Sequence, residues 1–479
     1  VSLFLLCFSA LLLVLAFPRA NLFPIAWFAL VPFIIVIKDR KPVNAFFFGW
    51  FFGFVFIGGL LYWILIFGII PWIALALFEG FYFALISLFF SLLKRRDWQG
   101  ALIFASIWTG FDYLRSLGKF GFTWGTLAQS QYLDIHILGI CKIGGMFLLT
   151  FVLALQNGFL ALLPIKRGIK NAILTLIIAH IIGFGMNILY HPKEENIKVA
   201  VTQAGIGERV THQAGLWSSP STEELIRAYK PMLKDLPKQD LIVFSETAFP
   251  VSIPDIQEVR KWVENLAREK ESYVLIGSPI EENGRIYNSA LLFSPKGEII
   301  GRYDKVQLVP FGEFVPWRKT FPWLKKLGVR DFDFTPGKGW YPLRCKGFSL
   351  GPIICFESIF PKIAREYSIK GADLLVVITN DSWFGRTWAG EQHLAFSSLR
   401  ACEEGRYLLR ATTTGISAII APDGRILKRA GLFVPAVLVG EVGKGKNTPY
   451  TYLGDYILLL LSLPMLIAIL SFRKRDKHL

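Results

Sequence analysis

The chain contains no CxxC pair and no Cys/His spacing of the kind that closes around zinc, so no metal centre is expected. Charge is scarce too. Only 18% of residues are Asp, Glu, Lys or Arg, against 53% hydrophobic and 15% aromatic, which lies far from the composition of soluble domains. The scarcity is uneven along the chain. Residues 1–192 are apolar and rich in Phe, Leu and Ile; residues 193–446 have ordinary globular composition and no long apolar run; residues 447–479 hold one more charge-free run, Tyr456 to Phe472, before the basic tail RKRDKHL. A membrane helix needs ~20 mostly apolar residues. The two ends supply such runs and the middle does not, so a globular domain is expected between membrane segments.

Breaks at residues 18–20, KDRK (38–41), GIIP (68–71), KRRD (94–97), RSLGKFG (115–121) and KRGIK (166–170) divide the first part into seven candidate helices. These are residues 2–17, 22–37, 45–67, 72–93, 99–114, 136–164 and 171–190, and the C-terminal run makes an eighth. Residues 1–17 lack both a basic n-region and an A-x-A site before Arg19, so a retained first helix is expected rather than a cleaved signal peptide. KDRK, KRRD, KRGIK and the C-terminal RKRDK all fall on one side of such a bundle. By the positive-inside rule that side is cytoplasmic. The globular domain is then exoplasmic, in a plasma-membrane protein. The same topology, with attraction to anionic headgroups, accounts for much of the net charge of +16, and nucleic acid is not an expected partner. Glu79, Asp112 and Lys142 lie within or at the ends of apolar runs, where ionisable groups suggest function by default; the alternative for Asp112 and Lys142 is a helix-end position. His180 reads as a packed helix residue.

Between residues 197 and 443, IKVAVTQ, DLIVFSE, YVLIGS, YNSALLFS, LGPIICFE, ADLLVVITN, ISAIIAPDG and PAVLVGEV read as strands, several apolar on both faces as buried sheets require. Helical stretches at 221–235, 255–269, 360–369 and 391–404 alternate with them. This pattern predicts an α/β layered domain with its functional groups at strand ends. Three such ends stand out: Glu246 closing LIVFSE, Lys305 in GRYDKVQLVPFGEFVPW, and Cys355 closing GPIIC. Singly each has a bland reading, since a buried cysteine is usually inert packing and a loop Glu or Lys is usually solvated. Of the five cysteines, Cys345 and Cys402 are a candidate disulfide pair in an exoplasmic domain.

Glu, Lys and Cys in that order resemble the triad of the nitrilase superfamily. The words VFSETAFP, YDKVQLVPFGEFVP, GPIICFESIFP and NDSWFG, together with FTWGTLAQSQ at 122–131 and the flanking apolar runs, resemble the apolipoprotein N-acyltransferase family over nearly the whole chain. The resemblance implies a polytopic bundle of about eight transmembrane helices with an αββα nitrilase-like domain. With the boundaries already read from composition, it implies seven helices in 1–192, the catalytic domain in 193–446, and the last helix with its cytoplasmic tail in 447–479. It also implies a bacterial inner membrane with the catalytic domain on the periplasmic side, no cofactor and a monomer.

A thiol with a pKa of ~8.5 needs a base or a nearby cation to become thiolate, and the resemblance gives Glu246 that task. Lys305 and the backbone N–H of Phe356 would stabilise the oxyanion. Glu313 would hold Lys305 or Glu246, and Glu357 matches the acidic residue two after the nucleophile. Cys355 would take a fatty acyl chain from a phospholipid such as phosphatidylethanolamine. It would then pass the chain to the α-amine of a diacylglyceryl-cysteine at an apolipoprotein N-terminus. Trp383, Phe384 and Trp388 would line an acyl-chain cleft or form an arm over it, with interface anchoring as the alternative. FVPWRKTFPWLKK (314–326) suits a segment dipping into headgroups; VTQAGIGERVTHQAGLW departs from the family, which the resemblance implies has a shorter Gln-to-Trp segment, so the assignment of Trp217 to the family tryptophan stays open. The sequence departs from the family in having Phe356 where tyrosine often follows the nucleophile. Two other readings remain open: a membrane-tethered nitrilase or amidase hydrolysing a C–N bond in a small exoplasmic substrate, and a transporter or scaffold whose domain only binds ligands.

Overall fold

A computed structural model of the chain describes residues 1–93, 95–191, 196–207, 209–211, 216–318, 320 and 332–475; for 209–211, 216–218, 465 and 468–475 it describes the backbone alone. The side chain of Trp217 and most of the basic-aromatic segment at 314–326 thus lie outside the described residues. The chain forms two compact units: Val1–Leu189 with Thr387–Glu403 and Thr448–Leu479, and Tyr190–Arg386 with Glu404–Asn447.

The first unit is helical. Its N-terminal part holds α1 (Ser2–Ala16), α2 (Val31–Ile37), α3 (Pro42–Leu60), α4 (Ile69–Leu93), α5 (Trp98–Arg115), α6 (Ile135–Leu138), α7 (Cys141–Leu162) and α8 (Ile165–Leu189). Among the described residues, α3, α4, α7 and α8 are long and apolar enough to cross a membrane. The expected helix at 22–37 is not continuous. A 3-10 turn, Phe23–Trp27, precedes α2, and Pro24 and Pro32 both occupy first turns, where the missing N–H costs nothing. The expected helix at 136–164 is likewise broken, by Gly144 and by Gly145 at φ +64°. A Cβ on Gly145 would also lie 2.6 Å from the Tyr450 ring, so glycine is required there on two counts. The Met146 N–H beyond the kink is received by a Glu403 carboxylate oxygen at 2.8 Å, as a broken helix in an apolar setting demands.

Glu79, whose role the sequence left open, meets Arg115 in the last turn of α5. Arg115 Nε donates to Glu79 Oε2 at 2.7 Å, Nη1 to Asp112 Oδ1 at 2.8 Å and Nη2 to the Trp124 carbonyl at 2.6 Å. All three charged side chains are buried. The sequence reading placed Arg115 in a loop, but it is the last residue of α5; Asp112 does lie near that helix end, as one of its two readings had it, and is buried there in an ion cluster with Arg115 and Glu79. His180 also has an internal partner, with Nε2 3.0 Å from Asp134 Oδ2.

The second unit holds β1 (Ile197–Gln203), β2 (Arg209–Thr211), β3 (Leu216–Ser218), α9 (Thr222–Lys234), β4 (Leu241–Val243), α10 (Gln257–Glu269), β5 (Tyr273–Glu282), β6 (Arg285–Phe293), β7 (Ile299–Asp304), β8 (Leu343–Arg344), β9 (Ser349–Ile354), α11 (Pro361–Ile369), β10 (Leu374–Thr379), β11 (Leu408–Thr412), β12 (Ala418–Ile420), β13 (Ile426–Arg429) and β14 (Ala436–Val442). They build two six-stranded sheets, in the orders β14-β1-β4-β5-β6-β7 and β13-β12-β11-β10-β9-β8. In each sheet three adjacent strands run parallel, β1-β4-β5 and β9-β10-β11. Every residue of β4, β9, β10 and β11 is buried, which is why DLIVFSE, LGPIICFE and ADLLVVITN read as apolar on both faces; β11, whose LLRAT carries a buried Arg410, was not read as a strand.

The sheets touch through β1 and β11 and through β6 and β9. Against the first sheet pack Leu225, Tyr229 and Leu233 of α9 and Val259, Val263 and Leu266 of α10, each on the i, i+4 stripe of its helix. Full burial of such a Leu or Val contributes ~1.5–3 kcal/mol. A capping box starts α9: the Glu224 N–H donates to Ser221 Oγ, and the Ser221 N–H donates back to the Glu224 carboxylate.

The chain then returns to the helical unit as α12 (Ala389–Glu404), α13 (Pro449–Leu453) and α14 (Ile457–Arg475). Gln392 on α12 uses its full hydrogen-bonding capacity there. Its Oε1 accepts from the indoles of Trp63 (3.1 Å) and Trp124 (2.9 Å), and its Nε2 donates to the carbonyls of Pro18 (3.2 Å) and Leu60 (3.1 Å). Trp124 and Gln129 of FTWGTLAQSQ hold this helix, since Gln129 Nε2 donates to the Gln392 carbonyl. Cys402 lies on the same helix, is in no disulfide, and its thiol donates to the Leu138 carbonyl. Cys345 is in none either, so the candidate pair is not joined.

Candidate active site

The three strand-end residues meet in the second unit. Glu246 lies just past β4, Lys305 directly follows β7 and Cys355 directly follows β9. Cys355 turns the chain with φ at +53°, a left-handed conformation that costs a non-glycine residue ~1–3 kcal/mol and recurs at functional sites. The sharp turn leads into the 3-10 turn Cys355–Ile359, with the Phe356 N–H immediately after the sulfur. The Phe356 ring packs edge-on against Phe360.

Glu246 is held from two sides: Oε1 accepts from Asn288 Nδ2 and Oε2 from the Asn380 backbone N–H, each at 2.7 Å. On β5, Gly277 admits this backbone, since a Cβ there would fall 2.6 Å from Glu246 Cα. Lys305 Nζ stands 3.8 Å from Glu246 Oε1 and donates to Glu313 Oε1 at 2.9 Å. Asn288 Nδ2 also donates to Glu313 Oε1, at 2.8 Å, and the Asn288 carbonyl accepts from the Lys305 N–H. Asn288 thus ties base, lysine and second glutamate together. It was missed in the sequence, where an asparagine inside YNSALLFS carries no local mark.

Glu357 is fully buried. Its Oε1 accepts from the Tyr303 hydroxyl (2.7 Å) and the N–H groups of Val306 (2.9 Å) and Gln307 (3.1 Å), and its Oε2 from the Ile354 N–H (2.9 Å). It therefore laces the Lys305 loop to the strand that carries the thiol. Trp383 and Phe384 sit, half-buried, in the 3-10 turn Asp381–Phe384. Trp388 belongs to the helical unit, edge-on to Tyr62.

Burial dominates the protonation of the cluster. It raises Glu246 above its ordinary value, Lys305 opposing and Glu313 reinforcing. It would lower Lys305, but Glu313, Glu246 and Cys355 outweigh it and hold the ammonium above its usual range. Burial also pushes the Cys355 thiol up, with Glu246 adding and Lys305 opposing. The resting site is accordingly a thiol beside a carboxylate and a permanent cation, an arrangement in which sulfur is activated by proton transfer on demand. Cys345, pushed up to about 12 by burial alone, has no such company. Among the described residues no group of three or more His, Cys, Asp or Glu side chains is placed to hold a metal.

A sandwich of this topology with Glu, Lys and Cys converging at strand ends is that of a carbon-nitrogen hydrolase, and the family model for that class matches residues 198–450. The model of the apolipoprotein N-acyltransferase N-terminal domain matches residues 9–159. The apolipoprotein N-acyltransferase of Geobacter metallireducens is 34% identical, with 98% of this chain and 95% of that one covered; that of Pseudomonas putida is 30% identical, with 91% and 90% covered. The chain belongs to the apolipoprotein N-acyltransferase family. Among solved structures, an amidase from Nesterenkonia sp. is similar at 20% identity and a TM-score of 0.38, over 52% of this chain and 92% of that one.

Proposed function

We propose that Cys355, Glu246 and Lys305 carry out both half-reactions of an apolipoprotein N-acyltransferase. In the first, Glu246 takes the thiol proton and the sulfur attacks the ester carbonyl of a phospholipid. Lys305 and the Phe356 N–H receive the developing oxyanion, a contribution of ~3–4 kcal/mol for each such donor. Collapse breaks the ester bond, Glu246 returns the proton to the leaving alcohol, and a lysophospholipid departs. In the second, the free α-amine of a diacylglyceryl-cysteine attacks the thioester, Glu246 accepts its proton and passes it to the departing sulfur, the C–S bond breaks, and Cys355 is released as thiol with Glu246 again ionised. Phosphatidylethanolamine is the proposed donor, the monomer the proposed working state, and the periplasmic side of the inner membrane the proposed location of the chemistry.

The observation that carries this reading is the convergence of a strained strand-end thiol, a buried carboxylate and a buried ammonium in a chain whose family likeness runs through the membrane helices. That length of likeness favours acyl transfer over hydrolysis of a small amide. The test is intact-protein mass spectrometry after incubation with phosphatidylethanolamine. A hydroxylamine-labile acyl mass on the native protein, absent from Cys355→Ala, is the expected result. Absence of the adduct across several phospholipids in folded protein, with ammonia released from small amides, would replace this reading by the amidase.

A further inference from the structure

The strand after the nucleophile carries a hydroxyl that none of the roles above uses. In the parallel pairing of β9 and β10, Ile354 stands opposite Ile378, so the next residues, Cys355 and Thr379, leave the sheet side by side. The Thr379 hydroxyl is within hydrogen-bonding reach of the Cys355 sulfur, and Thr379 Oγ1 also donates to Asp381 Oδ1 at 2.9 Å. Asp381 is itself buried, and its Oδ2 receives Arg410 Nη2 at 2.7 Å from β11. A threonine hydroxyl has one hydrogen and here two acceptors.

We propose that Thr379 is a positioning residue for the nucleophile, its single hydroxyl hydrogen turning from Asp381 to the Cys355 sulfur when the thiolate forms and back when sulfur is acylated. No bond to Thr379 oxygen is made or broken; the thiol proton goes to Glu246, as in the reading of the site on which this inference rests. The physical case is one of competing acceptors. A thioester sulfur is a poor acceptor, so the hydroxyl then belongs to the carboxylate; a thiolate is a full anion and draws the donor. Arg410 pairs with Asp381, whose carboxylate gives the hydroxyl a resting partner and prevents a buried orphan donor. The charged groups facing the sulfur are Glu246 past β4, Lys305 past β7 and Asp381 past β10, with Glu313 behind Lys305 and Arg410 behind Asp381.

The test reads thiolate formation without acyl transfer. The protein in detergent is alkylated with iodoacetamide across a pH series, and the modification of Cys355 is followed by peptide mass spectrometry. Thr379→Val, which keeps the shape and removes the hydroxyl, is expected to slow alkylation at neutral pH roughly tenfold and to move the pH profile upward, since a hydrogen bond to a charged acceptor is lost. Thr379→Ser is expected to restore the rate to within about threefold of native. A native profile in Thr379→Val, or a roughly tenfold loss in Thr379→Ser, overturns the proposal; where the valine variant does not fold, Thr379→Ala, which also removes the hydroxyl, is read in its place. Cys355 that resists alkylation at every pH in the native protein would instead count against its assignment as nucleophile, so the two failures are told apart.

Discussion

At the scale of single residues the decisive quantity is the protonation of Glu246. A base must be ionised to accept the thiol proton, and burial makes ionisation of this carboxylate harder than usual. Activity should therefore fall as pH drops through the raised pKa, giving kcat/KM an acid limb above the ordinary glutamate value of ~4.3. Measuring initial rates from pH 5 upward checks the sign; a limb at or below the ordinary value would show that Glu246 is not the titrating base. Asn288 belongs to the same argument, because its amide meets both Glu246 and Glu313. Asn288→Leu removes donors from both carboxylates and should lower kcat/KM by at least about tenfold with the fold retained, as seen in circular dichroism.

Glu246 and Cys355 could be proposed from the sequence because each closes a strand word, and Lys305 only through the resemblance of the three in order to the nitrilase triad, since β7, which precedes it, was not read as a strand. Asn288 and Thr379 could not, since a polar residue within or ending a strand has the same local pattern whether it faces solvent or a catalytic carboxylate. Only the pairing of strands distant in sequence, β6 with β7 and β9 with β10, gives them their partners.

At the scale of elements, apolar runs located the helices but not their interruptions. The run at 136–164 is apolar throughout, yet α7 begins at Cys141 and kinks at Gly144 and Gly145. Glycine in an apolar run is common in membrane helices and does not by itself announce a left-handed residue. Gly145→Ala should destabilise the helical unit by more than ~1 kcal/mol, because alanine is strained at positive φ and its methyl would collide with Tyr450. A lowered melting temperature in detergent checks this, and an unchanged one would mean that the kink relaxes.

The loop after β7 is likewise invisible in the sequence as a structured element. Glu357 orders it by receiving two of its N–H groups together with the Tyr303 hydroxyl and the Ile354 N–H. In Glu357→Gln the charge is lost and the amide nitrogen faces donors, at a cost of roughly 1.5–3 kcal/mol for a single charge-assisted hydrogen bond. The variant should lose acyl-enzyme formation through a misplaced Lys305, while Cys355 itself stays alkylatable. Loss of both together would assign Glu357 to the thiol rather than to the loop.

On the scale of the whole molecule, the chain passes between its two units four times, at 189/190, 386/387, 403/404 and 447/448. The excursion through α12 could not be read from AGEQHLAFSSLRACEE, whose polar residues suggest a solvated helix. Those residues are buried instead, Gln392 by two indoles and two carbonyls and Glu403 by the Met146 N–H. The alternation of basic and uncharged loops was legible, because it depends on composition alone. Under the proposed topology KDRK, KRRD, KRGIK and the basic tail would share one side, which the positive-inside rule would make cytoplasmic, and the globular domain would then be exoplasmic. Exposed Glu281, at the end of β5, and exposed Lys41, in the first basic loop, report on the two sides. With a membrane-impermeant maleimide, Glu281→Cys should be labelled in intact spheroplasts and Lys41→Cys only after the membrane is opened, each compared with the parent chain. The reverse pattern would put the thiol on the side where newly made chains first appear, and acylation would then have to precede export of the acceptor.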